Sequence, residues 1–220
     1  MRLSKLIAIV SYLPDDTTIR TNRFNKLIAL IDRCNELFNL PIYILIQNYT
    51  DAEIEIVKSK KNVKVSANYP RLGITGARKQ LRVDCISSSY DYFIMLDDDS
   101  ELEGEKHDAD KYLEDIDDHP GCFANFKNRQ LKLFAICKEI FTAVEYADIN
   151  PEDGIGFEDT VFIARCDKYF GERRFRFRDS KLRDACLGAK DSDSTWWTPA
   201  VPLPDMLKRT RAMVEEEKAK

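Results

Sequence analysis

Four short apolar runs, each about the length of a strand and each parted from the next by a stretch with helical spacing, constrain this chain more than any other feature. They are Leu6–Val10, Ile42–Ile46, Val63–Val65 and Tyr92–Leu96. Between the first two, Phe24, Leu27, Ile28, Ile31, Cys34 and Phe38 recur three or four residues apart or at multiples of that, which is one face of a helix. Thr50-Asp51-Ala52-Glu53 forms a capping-box pattern that opens a second helix, and Lys58–Lys61 closes it with the charge sign favoured at a C-terminus. Gly73 and Gly76 flank Ile74-Thr75, where Thr75 is placed to cap a third helix carrying Ala77, Leu81 and Cys85 on one side. The first hundred residues therefore read β-α-β-α-β-α-β. Such alternation implies a mostly parallel sheet with helices on both faces. The fourth run is apolar throughout, as expected of a strand covered on both sides.

The second half is less regular. Asp108–Asp118 reads as an acidic helix whose thin apolar side is Tyr112, Leu113 and Ile116. Cys122–Phe126 and Leu131–Ile136 read as strands of a hairpin around Asn128. Arg174, Arg176 and Arg178 alternate with Phe175 and Phe177, so in a strand the arginines share one face and the rings the other. From Pro204 the chain reads as a charged, exposed helix.

At 220 residues and 44% hydrophobic content the chain is long enough and apolar enough for one well-buried core. No apolar run approaches the roughly 18–20 residues needed to cross a bilayer, and no h-region follows the N-terminal basic residues. The expectation is a cytoplasmic protein without signal peptide or anchor. Six cysteines without a CxxC pair, and histidines only at 107 and 119, argue for reduced thiols and against a zinc site. A net charge of −4 disfavours non-specific nucleic-acid binding by the chain as a whole. The stripe of Arg174, Arg176 and Arg178, with Arg173, Lys181 and Arg183 nearby, is a local exception suited to several phosphates.

Two acidic features carry the chemistry. Asp97, Asp98 and Asp99 follow the fourth apolar run directly. In a parallel α/β sheet, ligands bind beyond the carboxyl ends of the strands. Three carboxylates placed there raise each other's pKa unless a cation sits among them. Magnesium or manganese, bound by one or two carboxylates and completed by substrate phosphates, meets that need. The second feature is Glu158-Asp159, after the Gly154-Ile155-Gly156 turn. Acids there also suit the first turn of a helix.

The order of these segments resembles that of family 2 glycosyltransferases of the GT-A fold. The similarity rests on Leu6–Val10, on Arg71-Leu72-Gly73-Ile74-Thr75-Gly76-Ala77-Arg78, on Phe93–Asp99 and on Gly156-Phe157-Glu158-Asp159, and it spans roughly residues 5–165. Lys79 departs from it, where many relatives have Asn. Within the group, the chain also resembles compact phage enzymes that glycosylate modified DNA bases. The resemblance implies an α/β GT-A domain over 1–203, with a nucleotide-sugar half (1–100), an acceptor half (101–203) and a charged tail (204–220). It implies an inverting hexosyl- or pentosyltransferase that uses Mn2+ or Mg2+ and a nucleotide-sugar donor, a UDP-sugar foremost.

In that scheme Asp97 and Asp98 contact the donor, and Asp99 binds the metal, with Asp97 also near it. Arg71 and Arg78 share the diphosphate charge, while Ser11, Tyr12, Gln47 and Asn48 read base and ribose. Asp159 is the general base and Glu158 positions the acceptor. A third metal ligand would be Asp193 or Asp191, and Trp196, Trp197 and Arg176 would meet the acceptor. The leading acceptor is a hydroxymethylated pyrimidine in phage DNA, and the alternative is a cell-surface or capsular carbohydrate. A nucleotidyltransferase would show a Gly-rich basic loop after the first strand, which Ser11–Asp16 lacks. A haloacid-type phosphatase would carry its nucleophile there. A sugar- or nucleic-acid-binding module without catalysis would not need both acidic motifs.

Overall fold

The computed structural model describes residues 3–119, 121, 123–125, 133–146, 158–170, 174–175, 183–184 and 203–219. The chain begins with β1 (Lys5–Tyr12), α1 (Thr17–Leu37), β2 (Ile42–Gln47), α2 (Asp51–Lys58), β3 (Val63–Val65), α3 (Gly73–Ser87) and β4 (Tyr92–Asp97). The seven elements follow the alternation of apolar runs and helical stretches in the sequence. After them come β5 (Leu102–Glu103), α4 (Lys106–Asp118), β6 (Phe123–Asn125), β7 (Leu133–Cys137), α5 (Lys138–Ala143) and α6 (Glu158–Phe170). The last described elements are β8 (Arg174–Phe175), β9 (Arg183–Asp184) and α7 (Leu203–Ala219).

One sheet of seven strands runs in the order β3-β2-β1-β4-β7-β6-β8. β3, β2, β1 and β4 are parallel, β7 is antiparallel to β4, and β6 is antiparallel to β7. β5 and β9 pair in a second, two-stranded sheet. The mixed α/β architecture with a mostly parallel central sheet is the expected one. β1 is buried from Lys5 to Ser11 and β4 from Tyr92 to Leu96, because helices cover both faces there.

Right-handed crossovers put helices on opposite faces when the chain changes direction across the sheet. The chain moves outward from β1 through α1 and α2 to β3, then crosses back through α3 to β4. Phe38, the C-cap residue of α1, packs on Tyr112 of α4 with ring centroids 6.1 Å apart. On the other face, α3 packs against α5 through Arg82. α7 meets α6 through Arg165–Glu217 at 3.0 Å and Lys168 Nζ to the Glu217 carbonyl at 3.0 Å.

Local chemistry sets the helix ends. Asp16 caps α1, accepting from the amides of Thr18 and Ile19. Thr50 and Glu53 make both halves of the capping box of α2. α3 begins three residues earlier than Thr75 suggests, with Leu72 as its cap residue and no side-chain cap. Gly73 takes φ +69°, a left-handed conformation that a side chain would strain, so the glycine and not the threonine sets the start. Cys34, Cys85, Cys137 and Cys166 are buried free thiols. Among the described residues no helix is long and apolar enough to cross a membrane.

A charged clamp ties the loops after β1 and β2. Arg20 Nε donates to Glu53 Oε1 at 2.8 Å, and Arg20 Nη2 donates to Glu53 Oε2 and to the Asn48 carbonyl. Arg20 Nη1 reaches the Pro14 carbonyl at 3.3 Å. Bonds from Arg20 and Thr50 hold the Glu53 carboxyl below its usual range, against the opposing effect of partial burial. A carboxyl lowered on folding adds stability above its unfolded value, and that stability is lost as pH falls through the folded value. Glu53→Gln is therefore expected to melt below wild type at pH 7. The gap between the two should close as pH falls below about 4, near the carboxylate reference. Melts of both proteins at pH 7, 5 and 3 check this, and a constant gap would contradict it.

Candidate active site

The parallel strands β1, β2 and β4 finish side by side. Val10 stands beside Asp97, Ser11 beside Ile46, and Tyr12 beside Gln47. β2 lies on one flank of β1 and β4 on the other, so the crossover direction reverses at β1. A crevice opens at such a reversal, outside the strand carboxyl ends, and it is where open α/β sheets take ligands. Ser11, Tyr12 and the aspartate triplet all lie at the β1/β4 reversal.

The three aspartates are not equivalent. Asp98 is 7% exposed, whereas Asp97 and Asp99 are part-exposed. Asp98 Oδ2 accepts from Ser11 Oγ at 2.7 Å and from the Tyr12 amide at 3.3 Å, and Arg23 Nη1 stands 3.5 Å from Oδ1. Ser11 Oγ is also 2.6 Å from the Tyr49 hydroxyl. A serine has a single hydroxyl proton, and the carboxylate takes it, so Tyr49 must donate to Ser11. The result is a buried relay, Tyr49 to Ser11 to Asp98, that joins the ends of β1, β2 and β4. Burial raises the Asp98 carboxyl above its usual range, against the pull of Arg23. Burial likewise raises the Tyr49 hydroxyl. The sequence alone treats Asp97 and Asp98 alike; the structure gives them different surroundings.

Asp97 faces an arginine. Arg78 Nη2 donates to Asp97 Oδ1 at 3.0 Å, and Arg78 is 7% exposed. Arg71 is exposed and its guanidinium lies over the Tyr12 ring, 5.3 Å from the centroid. Gln47 is buried, and its Oε1 accepts from the Leu72 amide at 2.8 Å, so its carbonyl holds the start of α3. Asn48 takes φ +60° and donates to the Leu13 carbonyl and to Asp15 Oδ1. Ser11, Tyr12, Gln47, Asn48, Arg71, Arg78 and Asp97–Asp99 thus gather at one end of the sheet.

Glu158 and Asp159 lie in the first turn of α6. Phe162, one turn further, stacks on Tyr146 with centroids 4.2 Å apart and planes 15° from parallel. Tyr146 also lines a small cavity with Val10, Arg78, Asp97 and Phe134. Tyr146 therefore links the helix that carries the Glu-Asp pair to the Asp97 end of β4. Asp191, Asp193, Trp196, Trp197 and Arg176 lie outside the described residues. Among the described residues no three His, Cys, Asp or Glu side chains are grouped to hold a metal. Asp97 and Asp99 are part-exposed carboxylates, hard oxygen donors of the class that suits Mg2+ or Mn2+ when phosphate oxygens complete the shell.

Sequence reasoning missed Arg23, Tyr49, Arg82 and Tyr146. Arg78 and Arg82 fall with Ala77, Leu81 and Cys85 on the stripe that periodicity assigns to the core, and all five are buried. Two arginines on a core stripe were the available signal, because buried arginine needs partners. Arg23 and Tyr49 left no comparable trace.

No family model matches the chain, and none of the curated proteins does. Solved structures do. S. aureus TarS 1-349 is similar at a TM-score of 0.62 and 12% identity, over 98% of this chain and 65% of that one. The same protein in complex with UDP gives 0.61. The mannosyltransferase PcManGT from Pyrobaculum calidifontis, in complex with GDP-Man and Mn2+, gives 0.58 at 12% identity, over 89% and 60%. A CMP:2-keto-3-deoxy-manno-octonic acid synthetase complexed with CTP gives 0.51 at 11% identity, over 97% and 99%. This chain spans under two thirds of the TarS and PcManGT chains. The shared property is the GT-A, Rossmann-like fold, a mostly parallel central sheet flanked by helices.

The relay makes a measurable claim. Ser11→Ala leaves the buried Asp98 carboxylate and the Tyr49 hydroxyl each short of a partner. Such a loss costs about 1–3 kcal/mol. Thr21→Ala removes a hydroxyl bonded on an exposed helix surface and is expected to cost about 0.5 kcal/mol or less. Urea unfolding of both variants checks this, and equal midpoints would contradict it.

Proposed function

We propose that the chain is a glycosyltransferase that binds a nucleotide-sugar at the β1/β4 crevice and transfers the sugar to an acceptor hydroxyl. The observation that carries this reading is that Asp97 and Asp99 are part-exposed at the switch point, with Asp97 held by Arg78 and the Tyr12–Arg71 pair at the same end of the sheet. The fold likeness to TarS and PcManGT supports it, since the bound molecules named for those two are UDP and GDP-Man with Mn2+.

Tyr12, with Arg71 over its ring, offers an aromatic face and a cation at the mouth of the crevice, suited to a base and its phosphates. Asp99, with Asp97, would hold a divalent cation, which neutralises charge on the departing diphosphate when bound. Arg78 fixes the Asp97 carboxylate, and Asp98 braces the strand ends from below. Asp159, in the first turn of α6, acts as general base. It takes the proton of the acceptor hydroxyl as that oxygen bonds to the anomeric carbon and the bond to the diphosphate breaks, which inverts the centre.

For the acceptor, the Arg174, Arg176 and Arg178 alternation supports an anionic polymer, with hydroxymethylated DNA first and a carbohydrate second. The nucleotidyltransferase reading shares the fold with the CTP-bound synthetase. It is disfavoured by a β1 exit, Ser11–Asp16, that has neither Gly nor Lys.

A panel of nucleotide-sugars with Mn2+ should raise the melting temperature and give slow donor hydrolysis with one of its members. Asp99→Ala should abolish both effects. Asp159→Asn should keep the thermal shift and slow turnover by about 10²–10⁴-fold. No shift with any donor would reject the glycosyltransferase reading. Mass spectrometry after incubation with DNA bearing 5-hydroxymethylcytosine, and separately with an oligosaccharide, identifies the acceptor class by which one gains mass.

A further inference from the structure

Two arginines one turn apart on α3 reach in different directions. Arg78 holds Asp97, at the donor end of β4. Arg82, 7% exposed, turns to the other half of the chain. Its Nε donates to the carbonyls of Phe141 at 2.6 Å and Val144 at 3.0 Å. Its Nη2 donates to the Thr142 carbonyl at 2.7 Å, and its Nη1 meets Glu145 Oε1 at 3.2 Å. These carbonyls belong to the last turn and exit of α5, where a helix leaves acceptors without internal partners. One guanidinium therefore gathers the whole exit, with the strength of charge-assisted bonds.

What leaves that exit positions α6. Tyr146, two residues beyond Val144, stacks on Phe162, and Phe141 packs edge-on against both rings. Arg165 Nη1 donates to the Glu145 carbonyl at 2.8 Å, adding a second tie between the same two segments. Phe162 lies one helical turn after Asp159. The line of contacts runs from Asp97 through Arg78, along one rigid turn of α3 to Arg82, into the α5 exit, across Tyr146 to Phe162, and so to the first turn of α6.

We infer that Arg82 is a positioning residue for turnover: it sets the place of the α6 first turn, and with it Asp159, relative to the Asp97–Asp99 end of β4. The inference rests on the glycosyltransferase reading and deepens it. It assigns Arg82 no contact with donor or acceptor. Reaction geometry tolerates little displacement, since a misplacement of about 1 Å far from the chemistry costs on the order of 100-fold. A lysine in place of Arg82 presents one point charge and cannot span the carbonyls that the planar fork serves together.

The test uses the full chain with Mn2+, each of UDP and GDP as the binding probe, and the donor that turns over in the panel as substrate. Arg82→Lys and Arg82→Met are expected to bind the nucleotide within about twofold of wild type, with KM for the donor likewise unchanged. Their kcat for donor hydrolysis should fall at least tenfold. The double variant Arg82→Lys with Asp159→Asn should be no slower than Asp159→Asn alone, because groups acting as one unit do not add. Tyr146→Leu, which removes the stack and leaves Arg82 in place, should show the same split and serves if the Arg82 variants do not fold. Unchanged kcat, a parallel loss of nucleotide affinity and kcat, or additive losses in the double variant would each overturn the inference. If wild type binds no nucleotide and hydrolyses no donor, the glycosyltransferase reading itself fails, and the positioning role goes with it.

Discussion

A buried carboxylate at the junction of β1 and β4 is the constraint on which the rest depends. Asp98 would be costly to bury alone, since an ionised group needs partners once water is removed. Ser11, the Tyr12 amide and Arg23 supply them, and Tyr49 completes the serine's hydrogen bonding. Ser11 and Tyr12 come from β1, Arg23 from α1 and Tyr49 from the loop after β2, so satisfying one charge ties together the ends of three parallel strands. The neighbouring aspartates are left part-exposed, at the point in the sheet where a ligand crevice must open.

The same economy recurs at longer range. Arg20 joins the loops after β1 and β2 through Glu53 and two carbonyls. Gln47 holds the start of α3 at Leu72. Arg33 of α1 donates to the carbonyls of Leu102 and Gly104, beside β5 and just after the aspartate triplet. Polar side chains with several donors or acceptors thus fix the loops around the crevice, while the apolar core fixes the sheet beneath it. Preorganisation of this kind lets a site meet developing charge without rearranging.

Much of the fold was legible in the sequence because its signals are local and periodic. Val63–Val65, the capping box at Thr50 and Glu53, and the apolar stripe on α3 each reappear where spacing puts them. The start of α3 was misplaced because a hydroxyl at Thr75 is a visible capping signal, whereas the left-handed φ of Gly73 is a property of the folded backbone. At the site, the aspartate triplet was legible through its position after a buried run. The division of labour within it was not, because burial of Asp98 follows from contacts 75 to 87 residues away in sequence. Arg82 was hidden for the same reason: its partners lie about 60 residues further on.

The central claim is that the β1/β4 crevice holds a nucleoside diphosphate with a divalent cation against Asp97 and Asp99. Crystals grown with Mn2+ and either UDP or GDP, measured for manganese anomalous scattering, test it most directly. The account predicts one strong anomalous peak about 2.1 Å from an Asp99 carboxylate oxygen, with diphosphate density touching it and the base beside Tyr12. Nucleotide bound elsewhere on the molecule, or bound in the crevice with the manganese away from both aspartates, would contradict it.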